Sequence, residues 1–300
     1  MIIRDAFMAP SWAGFACQSK LGYHGRVKFP RSLILAVLAV VVLLAAGGGG
    51  WWYLSNGSEE VVDLPLPPEP PRLADGAEYE RCLAMLRDDP EGALSFAEAW
   101  EATGGGEGAR HCAALAQLTV GEPDRAAEQL ERLAIGSRGG PAARAAVFAQ
   151  AGQAWMMSGD PSRAFAATTM ALTLSPNDPD LLTDRSVSLG TMGRYSEALA
   201  DLDRALAIDP ERTEALVFRA AALRNLDRVD EALTVVNRAL VLSSDNPEAL
   251  LERGILRQLR NDSAGARADW QRVLALAPDT PAADLAQQNL ALSEAGPIRR

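Results

Sequence analysis

Residues 179–212 read PDLLTDRSVSLGTMGRYSEALADLDRALAIDPER, and the pattern in this stretch decides the fold. Leu181, Leu182, Val187, Leu189 and Met192 recur at near-helical spacing. Gly193 and Arg194 interrupt, and Tyr195, Ala198, Leu199, Leu202, Ala205, Leu206 and Ile208 resume the period. Asp209-Pro210 then ends the second run, because proline disfavours helical backbone in the residue before it. The stretch predicts two short amphipathic helices and a tight turn. Neither helix can bury its apolar face alone.

The same register recurs along the chain. Pro176, Pro210, Ser244 and Pro278 stand thirty-four residues apart. Ala164, Ala198, Ala232 and Ala266 precede them by twelve, and the small residues Gly152, Ser186, Ala220 and Gly254 by twenty-four. The small residues predict close helix crossings, and stacking of successive units supplies the apolar surface that each unit lacks. This pattern resembles the tetratricopeptide repeat family, closely over 145–280 and more loosely over 74–144. The resemblance implies an all-α fold, a right-handed α-solenoid of helix-turn-helix repeats. It also implies a groove lined by the first helix of each unit that holds peptides or partner proteins. Family members that clamp a terminal carboxylate use Lys and Asn on that face. Here the matching residues are Thr183, Val187, Val217, Ala221, Leu251 and Ile255, so no such clamp is implied.

Outward from the four regular units at 145–280, a degenerate helical region occupies 74–144. Its pairs are expected at 74–100 and 109–135, separated by the loop Thr103 to Gly108. The loop Gly136 to Pro141 absorbs four extra residues. Residues 281–300 read as a capping helix and tail, with Gln287, Gln288 and Asn289 on a polar outer face, which a solenoid end requires. The expected total is six helical pairs and a cap.

The amino-terminal part differs. Residues 55–73, with Pro65, Pro67, Pro68, Pro70 and Pro71 among acids, read as an extended linker. Residues 32–54 hold an unbroken apolar run from Leu33 to Ala46, then four glycines and Trp51, Trp52, Tyr53 and Leu54, an uncharged stretch long enough to span a bilayer. Lys20, Arg26, Lys28 and Arg31 precede it and Glu59, Glu60 and Asp63 follow, which places the repeats outside the cytoplasm. Two readings stand: a transmembrane helix with an interfacial aromatic belt, which the aromatics favour, and a cleaved signal segment ending in small residues. The expected location is the bacterial inner membrane, single-pass, with a periplasmic repeat domain; the alternative is a soluble periplasmic one. Residues 1–31 read as a cytoplasmic tail, with a start at Val27 as the other reading.

Composition narrows the function. The chain carries a formal net charge of −10, and residues 59–300 hold 38 acidic against 24 basic side chains. Nucleic acid is therefore not an expected partner, since phosphate binding needs the opposite sign. With two histidines, His24 and His111, and no Cys-x-x-Cys, His-Glu-x-x-His or Gly-x-Ser-x-Gly, neither a metal site nor a catalytic centre nor a cofactor site is expected. The Gly104 to Gly108 loop lacks the Lys-Ser/Thr of a phosphate cradle. Asp201 and Asp203, like Asp178 and Asp180, have the spacing of a cation site, but the first pair sits beside Arg185, Arg219 and Arg253, which recur at one repeat position, and is read as pairing with arginine between the two helices of a unit.

Two further expectations concern specific residues. Cys82 and Cys112 fall on one stripe of consecutive first helices and are expected to form a disulfide in an exported domain, with a pair of buried free thiols as the alternative. The groove residues are Met156, Met157, Val187, Thr191, Val217, Ala221, Arg224, Asn225, Leu251, Ile255 and Gln258, read as an exposed and largely apolar strip, with the alternative that a tight superhelix or a folded-back linker from Val61 to Pro71 makes them core. The expected occupant is an amphipathic helix or extended apolar peptide, with Arg224 as its polar anchor. The function expected is a scaffold or adaptor of the cell envelope, with a chaperone-like holder of exported clients as the alternative. Neither is an enzyme.

Overall fold

A computed structural model describes residues 72–295. The expected tail, apolar segment and most of the linker, residues 1–71, lie outside the described residues. The described chain is all helical. Six antiparallel pairs follow one another: α1 (Ala77–Asp88) with α2 (Pro90–Ala102), α3 (Gly106–Thr119) with α4 (Pro123–Gly136), α5 (Pro141–Met157) with α6 (Pro161–Leu174), α7 (Pro179–Thr191) with α8 (Tyr195–Ile208), α9 (Thr213–Asn225) with α10 (Val229–Leu242), and α11 (Pro247–Leu259) with α12 (Ser263–Leu276). A last helix, α13 (Pro281–Ala295), closes the array. The loop expected from Thr103 to Gly108 is shorter than that, because α3 already starts at Gly106. No helix among the described residues is long and apolar enough to cross a membrane.

Local chemistry fixes the helix boundaries. Proline occupies the first turn of α2, α4, α5, α6, α7 and α11, where its missing N–H costs no helical bond. Asp89, Asp160, Asp178, Asn246 and Asp262 accept backbone N–H groups as N-caps. Within each unit from the second to the sixth, the turn between helices passes through a left-handed residue: Gly121, Gly159, Gly193, Asp227 and Asn261 have φ of 88, 80, 76, 59 and 63°. Glycine adopts that backbone freely, and Asp and Asn tolerate it better than other side chains do.

The small residues of the repeat pattern sit where helices cross. A Cβ on Gly254 would lie 2.3 Å from Trp270 Nε1, and one on Gly152 would lie 2.7 Å from Thr168 Cγ2. The hollow in the first helix is thus filled by a side chain from the second: Trp270, fully buried, rests over Gly254 with its indole N–H 3.4 Å from the Leu251 carbonyl. Arginines then tie successive units. Arg204 and Arg238 donate to the Pro176 and Pro210 carbonyls at 3.1 and 2.7 Å, each reaching back to the loop that ends the preceding unit.

The arginine ladder is a zigzag. Arg185 pairs bidentately with Asp201 at 2.7 and 2.8 Å, and Arg253 with Asp269 at 2.7 and 2.9 Å, both within a unit. Arg219 instead reaches back to Asp203 of the preceding unit at 2.7 Å, which corrects the expectation of pairing only inside units. Asp178 is consumed as the cap of α7, and Asp180 pairs with Arg212. Each of these aspartates already has a partner in the fold.

The apolar interior falls into two clusters. The larger runs from Ala114 to Ala286 and includes Phe148, Leu182, Leu216 and Trp270; the smaller joins Tyr79, Cys82, Ala97, Cys112 and Ala113. Cys82 and Cys112 are bonded across α1 and α3, with Cα atoms 6.3 Å apart. The outer face of α13 is polar, with Gln287 and Gln288 exposed.

Candidate functional site: the face of the first helices

The first helices α5, α7, α9 and α11 lie side by side, and their free face is the candidate interaction surface. The structure corrects its expected character. Val187, Val217, Ala221, Leu251 and Ile255 are only 2 to 8 % exposed. Neighbouring first helices approach closely enough that these side chains are covered instead of facing solvent; Val187, for example, lines a narrow gap together with Met156 and Gln153 of α5. Arg224, expected to anchor a partner, is buried as well. Its Nε and Nη2 donate to Glu252 Oε1 and Oε2 at 2.7 and 3.3 Å, and the two side chains are 2 and 6 % exposed. Of the expected strip, Met157, Thr191 and Gln258 are exposed, and Met156 and Asn225 are half-buried.

Beside this remainder lies an acidic cluster. Asp180, Asp184, Glu214 and Glu248 come together near the starts of α7, α9 and α11, with Arg212 as the nearby cation. Burial pushes the Asp184 carboxyl up to about 7, and the like charges of Glu214 and Asp180 push in the same direction, while a 3.4 Å contact from Gln153 opposes them. Glu214 is likewise raised, by burial first, with Arg212 opposing and Asp180 and Glu248 adding.

Asp184 yields a pH prediction. Its folded pKa lies above the unfolded value, so the charged form is disfavoured and the folded state loses stability as pH rises from about 4 to about 7. Asp184→Asn should therefore stabilise the protein by about 1–2 kcal/mol at pH 8, discounted because the side chain keeps some access to water. The gain should vanish at pH 3. Thermal melts of both proteins across that range check it, and a gain independent of pH would contradict the assignment.

Further toward the amino end, the face is closed by a buried hydrogen-bonded chain. Tyr79 Oη lies 2.5 Å from His111 Nδ1, and His111 Nε2 lies 2.6 Å from Gln150 Oε1, so one residue from each of α1, α3 and α5 is joined. Burial lowers the His111 pKa and raises that of Tyr79 to about 12, so both are neutral, and Nε2–H donates to Gln150 while Nδ1 accepts from the phenol. His111 is a packed structural residue. Among the described residues, no group of His, Cys, Asp and Glu is arranged to hold a metal ion.

Models of the tetratricopeptide repeat match residues 113–179, 152–223 and 218–291, together more than half of the chain. The chain belongs to the tetratricopeptide repeat family. Among solved structures, a chain of the APC/C hetero-tetramer Cut9–Hcn1 is 18 % identical with a TM-score of 0.56. The match covers 71 % of this chain and 42 % of that one, and it is a likeness of fold. YrrB, described as a repeat protein with an unusual peptide-binding site, is 20 % identical over 65 % of this chain and 96 % of its own, with a TM-score of 0.46. The first repeat domain of human RPAP3 is 26 % identical over 39 % and 93 % of the two chains, with a TM-score of 0.38. No curated protein sequence matches the chain.

The tetratricopeptide repeat register explains which residues the sequence placed well. The positions that carry the fold recur every thirty-four residues and were readable in the chain. The Arg224–Glu252 pair and the Tyr79–His111–Gln150 chain join different units and do not recur among the described residues, so no periodicity signals them.

Proposed function

We propose that this chain is a non-catalytic protein–protein interaction scaffold of the bacterial cell envelope, held there by the apolar segment at 32–54. Partner polypeptide lies along the face of α5, α7, α9 and α11. The observation that carries this reading is the cluster of Asp180, Asp184, Glu214 and Glu248 on that face, where burial and the neighbouring acids make the charged forms of Asp184 and Glu214 costly. A lysine- or arginine-bearing segment of a partner would relieve that cost, so the fitting ligand is basic and extended and not an apolar strip. The positive residues before the apolar segment and the acids after it support an extracytoplasmic array.

Photo-crosslinkers placed at Thr191 and Gln258, both exposed, test the reading in native membranes. One stoichiometric partner crosslinked from both positions, and lost when Asp184 and Glu214 are changed to Asn and Gln, is the expected result. A broad smear of clients would indicate a chaperone-like holder instead. Crosslinks insensitive to the acid substitutions, or none, would sink the proposal.

A further inference from the structure

On the side away from the first-helix face, grooves run between successive second helices, and most are filled by the protein itself. Between α4 and α6 the indole of Trp155 donates to Glu131 at 2.9 Å, and Arg163 lies 3.4 Å over its ring. Between α6 and α8 sits Arg185, paired with Asp201 and near the Phe165 ring. Arg219, paired with Asp203, serves the α8/α10 groove. Arg253, paired with Asp269 and 3.3 Å from Asn237, serves the α10/α12 groove.

The groove between α2 and α4 is different. It holds a cleft of about 360 Å³ floored by α3 and lined by Leu94, Glu98, Arg110, Ala113, Gln117 and Gln129, among others. That volume falls within the range of ligand clefts. The reason it is open is a substitution in the repeat. Ala113 lies eight residues before the left-handed turn residue Gly121, as Arg185, Arg219 and Arg253 lie before Gly193, Asp227 and Asn261. Alanine therefore stands where the fourth to sixth units put an arginine; the third unit also has an alanine there, Ala151, but Trp155 and Arg163 occupy its groove.

The groups that would have received that arginine remain. Glu98 is the eighth residue beyond the start of α2, as Asp203, the partner of Arg219, is beyond the start of α8; it has no ion-pair partner among the described residues. Gln129 takes the place of Asp201 and Asp269. Gln117 Oε1 is buried without a hydrogen-bond partner, an acceptor in want of a donor. The cleft's own cations are committed at the rim: Arg110 Nε donates to the Gly106 carbonyl at 3.3 Å and lies 3.9 Å from Glu101, and Arg132 pairs with Glu128 at 3.6 Å.

We propose that this cleft is a second binding site, for an arginine side chain presented by a partner polypeptide. Its alkyl stem would lie on Leu94 and Ala113, and its guanidinium, with five donors, would meet Glu98 and the orphan oxygen of Gln117. The site stands apart from the first-helix face, and neither reading depends on the other.

The test uses the intact protein, N-acetyl-arginine methylamide as the probe and its neutral citrulline isostere as the control, followed by amide chemical shifts. Saturable shifts at Ala113, Gln117 and Gln129, with the citrulline compound at least ten-fold weaker, are expected. Glu98→Gln, at an exposed position, should weaken binding about ten-fold or more, and Ala113→Arg should abolish it by supplying the guanidinium from within. Absence of saturable shifts, equal binding of the two probes, or indifference to Glu98→Gln would each overturn the proposal. If Ala113→Arg perturbs folding, the Glu98→Gln comparison decides alone, and crosslinking from Thr191 and Gln258 reports separately on the other face.

Discussion

Replacing Glu252 by alanine is expected to cost the array about 3–5 kcal/mol, because it leaves the Arg224 guanidinium buried without its carboxylate. The two side chains bridge α9 and α11 through paired donors, so the loss should loosen the fifth unit from the sixth. A change of Arg224 to Met together with Glu252 to Leu should recover most of the stability, since a packed apolar pair bears no desolvation cost. Chemical denaturation of the three proteins measures this. A loss below about 1 kcal/mol for Glu252→Ala would mean that water reaches the pair and that the burial assigned to it is wrong.

Loss of the Cys82–Cys112 bond is expected to destabilise the first two pairs by about 3–4 kcal/mol, from the unfolded-chain entropy that a link over a separation of 30 residues removes. The effect should be local. Tyr79, Cys82, Ala97, Cys112 and Ala113 form a small cluster apart from the main one, so little other burial holds α1 in place. Hydrogen exchange of oxidised protein and of the Cys82→Ala, Cys112→Ala double variant should differ strongly in α1 and α2 and hardly at all from α7 onward. Uniform acceleration along the array, or none, would contradict it.

The contrast between what could be read from the residues and what could not has a physical basis. Gly254 against Trp270, the turn residues Gly193, Asp227 and Asn261, and the arginine ladder are imposed by the geometry of one unit repeated, so they recur and are legible. The accessible face was misjudged for the same reason. A helix considered alone assigns Val217 and Ile255 to its open side, but a neighbouring first helix covers them, and that cover comes from the stacking between units. The departures Ala113, Gln117 and Gln129 carried no signal as residues, because an alanine on a helix is unremarkable until its counterparts are known to hold aspartates. Residues 72 and 73 read as the end of a linker, yet Leu73 packs on the main apolar cluster and Arg72 pairs with Glu80, contacts that an extended proline-rich stretch does not announce.

The position of the disulfide has a mechanical consequence. Tension applied to the chain ahead of Arg72 passes Leu73, one side chain on the main cluster, and arrives at α1, which buries Tyr79 and Cys82. There a covalent bond passes the load into α3 and from it into the extensively packed units that follow. A pull that would peel a helix held by packing alone instead meets a rivet, and the rest of the array is loaded as one body from its second unit onward.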